Sequence, residues 1–547
     1  MPGGGKARRA PGAARRRRLR DRVPVRLRHH WRPVAALCAG LAVMVYTIGD
    51  ARVSPYVTSA SAVEADAITQ NVRGAVGLYD DSVAHTIRLE YDGTDFEKMM
   101  KEFREEGSKE YIEADLTIDG VHLEDVGIRL KGNSTLMSLR GGDRGMPGGG
   151  RTAPDGAAPD GAPDGGRRPG GAGGMTMYDL SPDKPEELPW LIKIDEYIEG
   201  RAYQGEREIS LRPGSGGAVP LNEALSLSLT AAAGEPAERY AFSSVRVNDR
   251  PAVTRLMVEN PDTEYAEAVG DGNGVLYKAR AGGSFAYRGD DPSAYQTSFR
   301  QLNKAGSQDL TPVIRLVKWA DRASDEEFAE ELGRYVDVES LAAYTAAQNL
   351  LLNFDDMSGP GKNYLLWYDL DTKKFSVLGW DYNLAFGGDT AAGPDDSLGR
   401  GGVPAGREGT GADAGRAGQD GQEAQPPEGG PEDVPDGAPP GAPDTPGGQN
   451  GRGPGDEGGM PGGMTGHPLK DRFLELDAFD DAYKTAYREL YEEFYGSGTA
   501  LRVLDRIAEG ARAAGADTGE LSTAVARLRE TVSARTEALA RDEEATG

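Results

Sequence analysis

The sequence predicts an α+β fold: an antiparallel sheet in the first half of the folded region, a mainly helical second half, and two Gly/Pro-rich insertions. Three observations carry this. Between Val83 and Val258 apolar residues alternate in short runs, the period of strands with one buried face. From Thr311 onward they recur every three or four residues, the period of amphipathic helices. Much of the chain's 76 glycines and 34 prolines falls in residues 140–175 and 388–466, which lack an apolar period and read as disordered insertions. Setting those two tracts aside leaves 432 residues, enough for one bilobal domain, since single cores stop growing near ~250–300 residues.

The chain opens on a basic leader, 1–32, with twelve Lys/Arg against one acid. Residues 33–49 (PVAALCAGLAVMVYTIG) carry no charge. Basic residues stay on the cytoplasmic side, so this pattern predicts an N-terminal transmembrane anchor with the body outside. Cleavage as a secretory signal is the alternative, although Ala60-Ser61-Ala62, the nearest small-x-small triplet, lies well past the apolar run. Cys38 is the lone cysteine, which excludes an intrachain disulfide and a cysteine metal cluster. Net charge is −26, and removing the leader's +11 leaves the remainder near −37. Such a body repels nucleic-acid phosphates and suits a basic partner.

Residues 50–82 read as a linker. Strands are then expected at Val83–Leu89, Ile112–Ile118 and Val121–Leu130, the last two joined by an Asp119-Gly120 turn. The pattern resumes at Trp190-Leu-Ile-Lys-Ile. A helix follows Pro220 with Leu221, Leu225 and Leu229 on one face, and a hairpin at Phe242–Val258 turns at Asn248-Asp249. Helices are expected at Thr311–Ala320, Asp325–Tyr335 and Val338–Leu352, then strands Tyr364–Trp367 and Phe375–Leu378. Amphipathic helices at Phe473–Phe494, Ala500–Ala514 and Leu521–Ala540 end the chain.

The densest set of carboxylates and amides on turn-like sequence is Asn353, Asp355, Asp356, Asn363, Asp381 and Asn383. Each lies at the end of an apolar element, where a rigid scaffold presents a polar site. Oxygen ligands without His or Cys suit a hard cation, Mg²⁺ or Mn²⁺. An isolated aspartate here would merely cap a turn; a set on one helix–hairpin unit points to chemistry.

The segment NLLLNFDDMSGPGKNYLLWYDLDTKKFSVLGWDYNLAFG resembles the core motif of the spore-coat protein H (CotH) family of atypical kinases. Similarity extends through VGIRLKGNST, WLIKIDEYIEGRAYQGEREISLRP, NGVLYKA and HPLKDRFLELDAFDDAYKTAYRELYEEF, covering roughly residues 83–515 outside the insertions. The resemblance implies a bilobal protein-kinase-like fold: an antiparallel-sheet N-lobe at 83–262, a mainly helical C-lobe at 263–515, and a C-terminal helix at 516–547. It implies transfer of the γ-phosphoryl of ATP to Ser or Thr of a cell-envelope or spore protein.

On that resemblance Asp355 is the catalytic carboxylate, with Asp356 its nearest rival, and Asn363, Asp381 and Asn383 hold metal. Lys193 is the phosphate-holding lysine with Glu223 as its ion-pair partner, and Lys278 is an alternative nucleotide contact. Gly127 to Ser134 is a glycine-containing loop that can cover phosphates, and Val258-Glu259-Asn260 occupies the turn that meets adenine. The sequence departs from the pattern twice. Asp355 and Asn363 are eight positions apart, against five in ordinary protein kinases. Asn383 stands where the family usually has a second aspartate, which removes a negative charge from any second metal site. A catalytically idle envelope scaffold is therefore the competing function. A carbohydrate hydrolase is disfavoured, because the motif offers only Trp367 and Trp380 as aromatic subsites.

Overall fold

The computed structural model describes residues 67–132, 134–140, 178–214, 219–269, 272–396, 398 and 466–547. The expected anchor or signal at 33–49 and the basic leader lie outside these residues. So do 141–177 and 399–465 of the two insertions. Among the described residues no helix is long and apolar enough to cross a membrane.

Seven strands close into a barrel in the order β2-β3-β4-β5-β7-β9-β8. They are β2 (His85–Glu90), β3 (Ile112–Ile118), β4 (Val121–Leu130), β5 (Trp190–Lys193), β7 (Glu208–Leu211), β8 (Tyr240–Val247) and β9 (Val253–Glu259). A short β1 (Gln70–Val72) pairs with β6 (Arg201–Tyr203) in a separate two-stranded sheet. The β3–β4 turn takes Asp119 and Gly120 at φ 49° and 83°, both left-handed as a two-residue hairpin requires. The barrel interior is filled by the alternate residues of these strands, among them Leu89, Leu116, Ile128, Trp190, Ile192, Leu211, Val245 and Met257.

The expected bilobal kinase-like fold, with an antiparallel-sheet lobe and a transmembrane segment, is thereby corrected to a mixed α/β architecture around a closed barrel. Closure comes from a parallel pairing of β2 with β8, Ile87 facing Val245. Alternation reveals which face of each strand is buried; it carries no information about which distant strand an edge will meet.

Helix α1 (Gly93–Glu106) was not expected. It is capped by the Asp92 side chain, ends at the left-handed Gly107, and packs Met99, Met100 and Phe103 into the barrel core. Helix α2 (Leu221–Ala232) buries Leu225 and Leu229 in a second, larger core shared with the helical half.

Beyond β9 a short α3 (Thr263–Ala268) leads to a four-stranded sheet, β11-β10-β12-β13. Its strands are β10 (Gly274–Ala279), β11 (Phe299–Gln301), β12 (Tyr364–Asp369) and β13 (Phe375–Gly379). Between β11 and β12 come α4 (Thr311–Arg322), α5 (Asp325–Tyr335) and α6 (Val338–Leu350). The expected single helix at 473–494 is two, α7 (Pro468–Glu475) and α8 (Asp480–Tyr491), separated by a 3-10 turn. Helices α9 (Thr499–Ala513), α10 (Thr518–Leu539) and the short α11 (Glu543–Thr546) complete the fold. The fully buried Arg535 of α10 donates to the carbonyls of Ala392 and Asn349. Asn349 in turn donates to Gly393 and Asp396, so residues 388–396, expected at the start of a disordered loop, are packed onto α6.

Candidate active site

Helix α6 ends in a tight turn, with Leu352 at φ 50°, that swings the chain toward the β12–β13 hairpin. Asn353 is fully buried: its amide donates to Gln348 Oε1 at 2.8 Å, and its Oδ1 accepts from the Asp355 N–H at 3.4 Å. This fixes the backbone that presents Asp355. The Asp355 carboxylate accepts from the Gly361 N–H at 2.6 Å through Oδ1 and from Asn363 Nδ2 at 3.1 Å through Oδ2. The longer spacing therefore still returns Asn363 to Asp355. A Cβ on Gly361 would lie 2.5 Å from Asp355 Oδ2 and 2.8 Å from Asn363 Nδ2, so the close return needs glycine there. Tyr344 holds the loop at two points, accepting from Met357 N at 2.9 Å and donating to the Asn363 carbonyl at 3.1 Å.

Burial pushes the Asp355 carboxyl up to about 6; the Gly361 and Asn363 hydrogen bonds oppose the shift and the Asp381 and Asp356 charges add to it. Asp356 faces elsewhere, in an ion pair with Lys470 and a 2.8 Å bond from Ser358 N. With its charge already answered, Asp356 is the weaker match for a hydroxyl-orienting role.

Asp381 follows β13 at φ 57°, and its side chain is about a quarter exposed. Arg212 stands 3.4 Å from its Oδ1, yet that buried oxygen has no hydrogen-bond partner. A carboxylate oxygen that faces Arg212 without a hydrogen bond fits a hard cation, which takes few protein oxygens and completes its shell with water or phosphate. Among the described residues no group of three or more His, Cys, Asp or Glu forms a metal cage. Any metal here would depend on Asp381 and the Asn363 amide. Asn383 lies two residues on, where its main-chain carbonyl accepts from Asn222 of α2 at 2.8 Å.

Glu223, 1% exposed, contacts Arg212 rather than the expected Lys193. Strand register explains this. Lys193 faces Glu208 at one end of the β5–β7 pair, whereas Arg212 follows Leu211, which faces Trp190 at the other end. Four residues at ~3.4 Å each separate the two positions by about 14 Å. Lys193 instead pairs with Glu196 at 2.7 Å. Burial works against the Arg212 charge, but Glu223 and Asp381 outweigh it and hold its pKa above the ordinary value.

Three cations surround the indole of Trp380. Lys278 Nζ lies 3.2 Å from the ring centroid, Lys131 Nζ 5.6 Å and Arg212 Cζ 5.9 Å. Burial lowers Lys278 to about 7, with Asp381 and Glu238 holding it up against Arg300 and Arg212. Lys131 is also lowered, by burial and then by Arg212 and Lys278, and donates to Asn260 Oδ1 at 2.7 Å. Three basic side chains thus gather around one indole, with Asp381, Glu223 and Glu238 as nearby acids.

Glu259 does not face that site. Its carboxylate accepts from the Arg239 N–H and Nε, both at 3.0 Å, and is buried in the pair. Gly127 lies within β4 opposite Lys193, so through Leu130 the expected glycine loop is barrel strand. Sequence reasoning missed Arg212 and passed over Lys131 as part of that loop. The signal was present for Arg212: the run Ile209-Ser-Leu211 alternates into it, and Pro213 ends the strand.

A family model described as CotH kinase protein matches residues 183–497, more than half of the chain. The matched stretch contains the Asp355 turn, Arg212, Glu223, Lys278 and Asp381, and excludes β1–β4. The chain is 24% identical over 201 residues to the inner spore coat protein H of Bacillus subtilis (strain 168), spanning 35% of this chain and 54% of that protein. It thus covers about half the length of that relative. With the family match lying across the residues that build the site, this chain belongs to the CotH kinase family.

Proposed function

We propose that this protein is a metal-dependent phosphotransferase that moves the γ-phosphoryl of ATP to a Ser or Thr hydroxyl of a spore or cell-envelope protein. The observation that carries the reading is the meeting of a buried, oriented carboxylate, Asp355, with an Asp381 oxygen that lacks a hydrogen bond and a cluster of three basic side chains. Phosphoryl transfer is chiefly positioning and charge neutralisation, and this arrangement offers both. Asp355 accepts a hydrogen bond from the acceptor hydroxyl and aims its oxygen. Arg212, Lys131 and Lys278 hold phosphate oxygens, and Glu223 keeps Arg212 in place. Asp381 and Asn363 are the residues to hold Mg²⁺ or Mn²⁺, which when bound neutralises charge on the transferred group.

The similarity to an inner spore coat protein of Bacillus supports an extracytoplasmic or spore-coat location. The acidic body supports a basic protein substrate. Asn383 favours a second reading, an inactive family member that binds nucleotide without transferring phosphate.

Calorimetric titration of the full-length protein with ATP tests the first point. Binding that requires Mn²⁺ or Mg²⁺ and disappears in Asp381→Ala supports the proposal, and no metal-dependent binding refutes it. Transfer of labelled phosphate to a Ser-containing peptide, lost in Asp355→Asn, separates the enzyme from the inactive binder.

A further inference from the structure

Beside the Asp355 loop lies a cavity of about 400 Å³ lined by Arg280, Ser284, Phe285, Lys362, Tyr364 and His467, among others. It adjoins the candidate site directly. Lys362 and Tyr364 flank Asn363, and the Gly282 N–H donates to the Pro360 carbonyl at 3.4 Å, tying the cavity wall to the loop that cradles Asp355.

His467 is 1% exposed, its ring 4.5 Å from Phe285 and 5.1 Å from Tyr364 between centroids. Its Nε2 is 3.1 Å from the Tyr364 hydroxyl, while Nδ1 has no hydrogen-bond partner. With Tyr364 donating to Nε2, the neutral ring carries its own proton on Nδ1, and that tautomer is the one that offers a donor to a ligand. Burial, then the charges of Lys362 and Lys470, keep the ring neutral. The lining carries two basic side chains, Arg280 and Lys362, against one acid, Asp321, and Asp356, Asp471 and Asp355 also act on Lys362. In a chain of net charge −26 the lining itself thus holds one more basic group than acidic.

We propose that this cavity receives an anionic side chain of a peptide segment, a carboxylate or a phosphomonoester. On the phosphotransfer reading, that segment carries the acceptor hydroxyl to Asp355. The negative field of the whole body governs approach of the partner, whereas the cavity selects a single neighbouring side chain.

The test is fluorescence anisotropy of labelled Ser-containing peptides on the full-length protein, with Asp, phosphoserine, Gln or Arg at one flanking position. The Asp or phosphoserine peptide binds about tenfold tighter than the Gln peptide, and the Arg peptide more weakly still. Which of the two anions binds better identifies the source. Arg280→Glu, at an exposed position, reverses the order, and His467→Phe weakens the anionic peptides alone. Equal affinity for the Asp, phosphoserine and Gln peptides overturns the proposal. A parallel ATP titration separates the two readings: discrimination without nucleotide binding sinks only phosphotransfer, and nucleotide binding without discrimination sinks only the anion site.

Discussion

Replacing Arg212 by methionine removes the cation that contacts Glu223 while leaving a side chain of similar length. Glu223 is 1% exposed, and its Oε2 already lacks a partner, so the variant leaves an uncompensated buried carboxylate. Breaking such a pair from one side costs about 3–5 kcal/mol, whereas replacing both partners by apolar groups is close to neutral. Urea unfolding followed by circular dichroism should therefore show a large loss in Arg212→Met and recovery of most of it in Arg212→Met/Glu223→Leu. Lys193→Ala should cost no more than about 1 kcal/mol, because the Lys193 and Glu196 side chains are 32% and 25% exposed and water screens the pair. The single-variant loss also depends on pH. Burial already raises the Glu223 pKa, and removing Arg212 raises it further, so the folded state binds a proton more tightly than the unfolded chain. Stability of Arg212→Met should rise as pH falls from 7 toward 5 and the carboxyl is neutralised. A Lys193→Ala loss equal to that of Arg212→Met, or a double variant no better than the single, would refute the pairing.

Four further outcomes are expected. Peptide phosphorylation should rise with pH through a midpoint near 6, because the ionised Asp355 is the competent form and burial has raised its pKa to about 6; a flat kcat/KM between pH 5 and 7 removes Asp355 from that role. Gly361→Ala forces a Cβ to 2.5 Å from Asp355 Oδ2, and transfer should fall at least about tenfold with the dichroism spectrum retained. Lys278→Met should weaken nucleotide binding about tenfold, as loss of one charge-assisted phosphate contact does, and unchanged affinity excludes Lys278 from the anion site. Arg535→Met should destabilise the fold by about 3 kcal/mol or more, read as a lower melting temperature, since it strips donors from the buried Asn349 and Ala392 carbonyls.

Much of the local structure was legible. Helices α2, α5 and α6 begin where the apolar period places them, and the Asp119-Gly120 and Asn248 turns carry the positive φ that those residue types tolerate. The polar set from Asn353 to Asp381 was legible for the same reason, since each member sits at an element's end. Helix α1 was missed although Asp92 and Gly107 bracket it, because its buried face is only Met99, Met100 and Phe103. The short β7 was missed as well, and with it Arg212.

Local pattern alone determined the strand–helix order, the faces that are buried and the cluster of carboxylates and amides on the helix–hairpin unit. These depend on neighbours within a few residues, which the chain's own period encodes. Barrel closure through β2 and β8, the choice of Arg212 over Lys193 as partner of Glu223, and the gathering of Lys131, Arg212 and Lys278 around Trp380 were decided only in three dimensions. Each joins segments far apart in sequence, where a shift of four residues along one strand moves a charge by about 14 Å and changes which acid it can reach.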